Sequence, residues 1–401
     1  MALLHTLPVS VERDQQELDL QTRLGATLTT VKGFAAPEVA GAYERARILC
    51  RESQDPGQRF SVLRGLWVYD LVCAEWQAAS DLAEEMLALA REQRNPGYEL
   101  EGHRALGMTL LWRGAFVRAR DHLEEGRRLY DPAQHHIHAF RFGNDPGIAC
   151  LVHEAFVLWV LGYPDRALAT SRKALALARH LAHPFSLVQA LIYSIYIHHC
   201  RGEAQIIPEL AEEAKVLAVE HGFPFWLAEA GIMSGWAISA LGKAKGGIDQ
   251  LRVGISDFLA TGARMDKPRW LALLAETCGT NNQPQEGLKA VSEALSVVEQ
   301  TNECFFQARL CQLRGELLLK EGSSGAAAQA EACFQEALSI ARLQEAKSWE
   351  LCAATSLARL WCAQFKRREA RDLLAPVYGW FTEGFETADI REARALLDEL
   401  A

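Results

Sequence analysis

Phe156, Tyr196 and Trp236 recur at one repeat position along a chain of 401 residues, with Met108 before them and Glu276 after them at the equivalent place. Trp112, Trp159 and His199 lie about one helical turn further along the same face. Aromatic side chains offer large contact area at small entropic cost. A ladder of them suits recognition of a peptide or a ring-shaped small molecule. The same residues also serve as ordinary packing between neighbouring helices, so a binding ladder and a core stripe both stand at this point.

Other chemistry is harder to find. His135, His136 and His138 could present imidazoles to a metal, but no cysteine or carboxylate accompanies them at a matching spacing. His198, His199 and Cys200 are consecutive on a helix and point about 100° apart, which prevents them from sharing one ion. The expectation is exposed loop histidines in the first group and a favourable helix C-terminus in the second. Gly242-Lys243-Ala244-Lys245-Gly246-Gly247 comes nearest to a phosphate loop, yet lacks the following Ser or Thr and falls at a helix turn. There is no G-x-S-x-G elbow, no H-E-x-x-H and no pair of C-x-x-C units. These patterns predict no catalytic centre, no cofactor and no metal.

The elements that position the aromatic series come from an internal repeat. His183–Ser194 aligns without gaps on Phe223–Ser234, sharing Pro, Phe, Leu, Ala, Ile and Ser. Small residues then mark the start of each second helix: Ala40, Ala79, Ala119, Ala167, Gly247, Gly287, Ala330 and Ala370, with Ile207 as the exception. The period is about 40 residues, within the range of helical solenoids. Glycines at 114, 162, 202, 242 and 322 end first helices, and Pro96, Pro184, Pro224 and Pro268 stand near first-helix starts. Gly107–Ala119 and Leu161–Leu168 resemble the tetratricopeptide pattern, lengthened from the usual 34 residues.

The predicted fold is all-α: a right-handed superhelical solenoid of about nine helix–turn–helix units and a C-terminal capping helix. The units fall at 12–53, 57–94, 96–131, 147–182, 184–222, 224–262, 268–301, 304–345 and 347–384, with the cap at 386–401. Ile207 predicts a looser or rotated fifth unit. The extra residues at 131–147 and at Ser323-Ser324-Gly325 read as loops, the first long enough to serve as a flap.

Composition narrows the class of function. Hydrophobic residues at 49% and charged residues at 23% describe a folded chain without long disorder. A net charge of −9 with no basic stripe argues against a nucleic-acid partner, and Lys366-Arg367-Arg368 reads as a solvated turn. No apolar run is long enough for a membrane helix, and Met1–His5 lacks the features of a secretory signal. Ten cysteines without close spacing read as small buried hydrophobes in a reducing cytoplasm.

Two terminal stretches go beyond a generic repeat. They are Gln16–Gln21 with Lys32–Val39 and Tyr43–Arg47, and Ala375-Pro376-Val377-Tyr378-Gly379-Trp380-Phe381-Thr382-Glu383-Gly384-Phe385. Both resemble the C-terminal tetratricopeptide-repeat region of bacterial signalling proteins that fuse a class III adenylate/guanylate cyclase to an AAA-type ATPase. The resemblance covers essentially the whole chain, but the cyclase and ATPase motifs have no counterpart in it. It implies a non-catalytic arm that docks a peptide or protein partner on its concave face. A small-molecule effector controlling an attached or separate cyclase is the alternative. Trp380, Phe381 and Phe385 either close the last repeat or offer a homodimer surface.

Overall fold

The computed structural model describes residues 10–50 and 55–401. The Met1–His5 stretch and the end of the first predicted unit lie outside those residues. Among the described residues the chain is entirely helical, with 21 helices. Nine antiparallel pairs follow one another: α1 (Val11–Lys32) with α2 (Pro37–Cys50), α3 (Pro56–Val72) with α4 (Trp76–Glu92), and α5 (Pro96–Trp112) with α6 (Phe116–Leu129). After two short helices, α7 (Pro132–His135) and α8 (Ile137–Phe142), come α9 (Pro146–Val160) with α10 (Pro164–Leu181) and α11 (Pro184–Cys200) with α12 (Ile207–His221). The series continues with α13 (Pro224–Ala240) and α14 (Ala244–Ala260), α15 (Lys267–Thr280) and α16 (Pro284–Thr301), α17 (Gln307–Glu321) and α18 (Ala326–Leu343), and α19 (Lys347–Ala363) and α20 (Arg367–Tyr378). The chain closes with α21 (Ala388–Leu400).

Local chemistry accounts for the boundaries. Proline opens α3, α5, α9, α11 and α13, where its missing N–H is one the helix could not have used. Asp55, Asn95 and Asp145 precede three of these prolines, and their side chains accept from the backbone amides of Gly57, Tyr98 and Ile148. Gly235 on α13 faces Gly247 on α14, and a Cβ on Gly247 would meet the Gly235 oxygen at 2.7 Å. Only small residues at the start of the second helix permit that approach.

Ile207 has a simple explanation. Elsewhere the marker residue is the fourth or fifth of its second helix, but α12 starts late, and Ile207 is its first residue. The link from α11 runs over 201–206, and Ile207 is fully buried with Ala211, Ala214 and Ala218, one period on from the buried Ala167, Ser171, Ala174 and Ala178. The segment 131–147 is not the loop its composition predicts. It folds into α7 and α8 because Asp131 caps the first turn and the His135 ring accepts from the Asp131 amide at 2.9 Å. His135 and His138 are buried there, correcting their expected exposure; His136 alone of the three is exposed.

The superhelix is wound so tightly that successive turns touch. Carbonyls at the ends of first helices, which have no partner within their own helix, accept hydrogen bonds from the stretch five units further along. Val72 O accepts from the amides of Arg264 and Met265 at 2.9 and 3.1 Å, and Trp112 O from the amide of Phe305 at 3.0 Å. Trp159 O accepts from the Ser348 hydroxyl, and Arg201 O from the amide of Ala388 at 3.4 Å. At the C-terminal end, Glu383 Oε1 accepts from the amides of Asp165 and Arg166, both at 3.0 Å, and so caps α10 from the far end of the chain. Phe381 is buried in that closure, while Trp380 and Phe385 keep partial exposure.

Candidate functional site

The aromatic series lies inside the closed superhelix. Phe156 and Tyr196 are each 1% exposed, with ring centroids 5.9 Å apart, and Phe156 packs on Phe305 at 4.9 Å. Arg269 lies over the Tyr196 ring at 3.5 Å. Trp159 packs against Trp349 at 4.7 Å, and His199 against Trp236 at 4.4 Å. Trp236 Nε1 donates to Glu276 Oε1 at 3.3 Å, and Arg309 pairs with the same carboxylate at 2.9 Å. Burial pulls His199 down to about 4, keeping the ring neutral. These residues meet one another and the next superhelical turn. Of the seven expected site residues, Met108 alone lines the open space described next, and Trp112 bonds Asp266 in its wall.

The open space is a cavity of about 820 Å³ inside the N-terminal half of the superhelix. Its walls come from the first helices α1, α3, α5, α11 and α13, with Tyr43 of α2. Phe140–Asn144 of the α8 segment form one rim, and Met265-Asp266 reaches in from the next turn. Phe185, Phe225, Trp226, Leu71 and Met108 give it an apolar lining. The volume falls within the range of ligand clefts, roughly 300–1,000 Å³.

Two buried charge clusters meet this cavity on different walls. On one, Glu101 accepts from Arg64 Nε at 3.3 Å and Arg104 Nε at 2.9 Å, and stands 3.1 Å from His138 Nδ1. The two guanidiniums beside Glu101 hold its carboxyl far below the usual carboxylate range against the opposing effect of burial. Burial lowers Arg64 to about 10, leaving it charged at neutral pH. On the other wall, Tyr196 donates to Glu229, and Trp112 Nε1 donates to Asp266 Oδ1 at 3.1 Å. Glu303 accepts from the Asp266 amide at 2.9 Å. Burial pushes Glu229 up to about 8 and raises Asp266 and Glu303 as well, so this wall favours protonated acids that can donate as well as accept.

Sequence reasoning missed Arg64, Arg104, Glu229 and Asp266. A signal existed: Arg64 and Arg104 stand one repeat period apart, as do Gln189, Glu229 and Arg269. Phe185 and Phe225 were visible as equivalent positions in the aligned units. No group of three or more metal-ligating side chains occurs among the described residues. None of their helices is long and apolar enough to cross a membrane.

The arrangement defines the class as an all-α helical-repeat solenoid with an internal cavity. No family profile matches the sequence, and no curated protein matches it. Solved structures with the same fold do exist. NprR in complex with its cognate peptide NprX is 14% identical with a TM-score of 0.55, covering 96% of this chain and 98% of that one. A Rap protein complexed with Competence and Sporulation Factor is 12% identical with a TM-score of 0.54, covering 90% and 100%. The Rap conjugation gene regulator of plasmid pLS20, in complex with the Phr* peptide, is 13% identical with a TM-score of 0.50, covering 82% and 97%.

Proposed function

We propose that this chain is a non-catalytic regulatory module that binds a short peptide inside its superhelix and responds by changing the closure between its turns. The observation that carries this reading is the cavity itself: open on one side, mostly apolar and furnished with a few buried polar groups on opposite walls. An extended peptide has the matching character, with alternating apolar side chains and a hydrogen-bonding backbone. Three solenoids of this fold were solved with the peptides or factor named above, which supports the same use here. The cavity replaces the aromatic ladder as the seat of binding. Its walls include Met265-Asp266, held by Val72 O from the adjacent turn, so occupancy bears directly on turn-to-turn contact.

The test is thermal stabilisation by a pool of random hexapeptides, followed by hydrogen exchange on the stabilised sample. A ligand that binds only the folded state raises stability. The expected result is a higher midpoint with slowed exchange in α1, α3, α8 and α13. No stabilisation, or protection confined to the C-terminal units, would count against the reading.

A finer reading belongs to the same proposal: the module is cytoplasmic and governs a nucleotide cyclase or ATPase, attached or separate. The terminal-segment resemblance supports it, and the cavity volume also suits a small-molecule effector in place of a peptide. Co-purification with a cyclase–ATPase from native lysate tests the attachment. A thermal-shift screen with nucleotides and sugars tests the effector.

A further inference from the structure

We infer that the Arg64–Arg104 wall of the cavity is an anion-binding subsite built for a carboxylate. Under the peptide reading on which this rests, the carboxylate is the C-terminal group or an acidic side chain of the bound peptide. Arg104 is 1% exposed, lines the cavity and leaves its Nη2 without a hydrogen-bond partner. Its Nε bonds Glu101, and its Nη1 reaches only the Met108 sulfur at 3.8 Å, a weak acceptor. Arg64 bonds Glu101 and Asn144 Oδ1. Two permanently charged guanidiniums, with His138 beside them, thus share a single carboxylate.

Among the described residues, Glu101 is the one acid paired with these two guanidiniums. Tyr43 faces Arg64, but burial raises its hydroxyl and keeps it neutral. Asp19 pairs with Arg23 at 3.0 Å, and Asp55, at the exposed N-terminus of α3, is screened by solvent. Glu229 and Asp266 stand on the far wall, where burial favours their protonated forms. A further guanidinium, Arg141, stands at the rim and bonds Ser61 at 3.0 Å. Uncompensated positive charge inside a protein is costly, and an incoming anion removes that cost.

The geometry favours a flat anion. Arg104 lies over the Trp67 ring at 5.1 Å and Arg64 over the Phe142 ring at 4.5 Å, so each guanidinium is held by a ring on one side. A guanidinium restrained in this way presents its fork edge-on, which is the arrangement that pairs with a carboxylate. Phe185, Phe225 and Trp226 then offer apolar walls to the rest of the ligand.

The test uses hexapeptide pools in three forms and reads retention on the full chain by affinity-selection mass spectrometry. The forms are free acids without Asp or Glu, C-terminal amides with Asp or Glu, and amides without either. Retention of one or both acidic forms, weakened roughly 10- to 100-fold in the neutral form, is the expected result. The form retained identifies which carboxylate is held. Arg104→Gln should abolish the preference, and Arg104→Lys should restore part of it. The comparison of pools on the natural chain stands even where a variant misfolds. Equal retention of all three forms would overturn the subsite and leave the peptide reading intact. If no pool is retained, the peptide reading fails, and succinate alone decides the subsite. Stabilisation of the natural chain but not of Arg104→Gln supports it, and no shift removes it.

Discussion

Trp112 Nε1 donates a hydrogen bond to Asp266 Oδ1 at 3.1 Å, joining residues 154 apart in sequence. The bond ties the third repeat unit to the start of the seventh, and Asp266 is also part of the cavity wall. Closure of the superhelix and shape of the cavity are therefore one structural feature. Replacing Trp112 by Phe keeps most of the packing against Trp76 and Phe305 but removes the donor. The expected loss is about 1–3 kcal/mol of folding stability, read as a lower denaturant midpoint. An unchanged midpoint would mean that the indole N–H contributes nothing to closure.

Stability should fall as pH rises from about 6.5 to 8. Glu229 binds its proton more tightly in the folded chain, at about 8 against an ordinary 4.5. Its contribution is complete below the unfolded value and is lost as pH climbs toward 8. Asp266 and Glu303 shift in the same direction. His153 and His103, lowered by burial to about 3 and about 4, act the other way, but only as pH drops below about 6.5. The upper window thus isolates the acids, at no more than about 1.4 kcal/mol per pH unit for each group. Chemical denaturation across that window should show the slope, and Glu229→Gln should flatten it; a slope identical in both chains would refute the assignment to Glu229.

Glu383 caps α10 from the C-terminal segment. Removing its carboxylate in Glu383→Ala should cost about 1 kcal/mol and loosen the segment that carries Phe381. Hydrogen exchange between residues 380 and 401 should quicken while α3 and α5 stay protected. Uniform exchange across both regions would show that the segment is held by its apolar contacts alone.

Phe365 sits at a turn with φ of 64° and 93% of its surface exposed. Glycine fills the corresponding turn at 114, 162, 202 and 242, each with positive φ. A side chain in this conformation is strained by roughly 1–2 kcal/mol, and glycine gives back part of that through its greater freedom when unfolded. Phe365→Gly should raise stability by up to about 1 kcal/mol, seen as a higher Tm. A fall in Tm would mean that the exposed ring makes a contact of its own.

The repeat was legible in the amino-acid sequence because its causes are local. Small residues at second-helix starts, glycine at the turns and proline at first-helix starts each act within a few residues of themselves. They mark helix pairs whatever the rest of the chain does. Ile207 marked the one second helix that starts at its marker residue, while the buried register of that helix stayed the same as its neighbours'. Four things depended on contacts between residues far apart. The pitch of the superhelix set five units to a turn, which turned Phe156, Tyr196 and Trp236 inward against Phe305, Arg269 and Glu276. The 131–147 segment took its place at the cavity rim, with His138 buried against Glu101 from α5. Glu383 became a cap for a helix more than half the chain away. The cavity took its charge from Arg64, Arg104, Glu229 and Asp266, whose environments form only when two turns meet. A sequence determines directly what neighbouring residues impose on one another; where a helix face ends up, in groove or in core, is settled by the packing of one turn on the next.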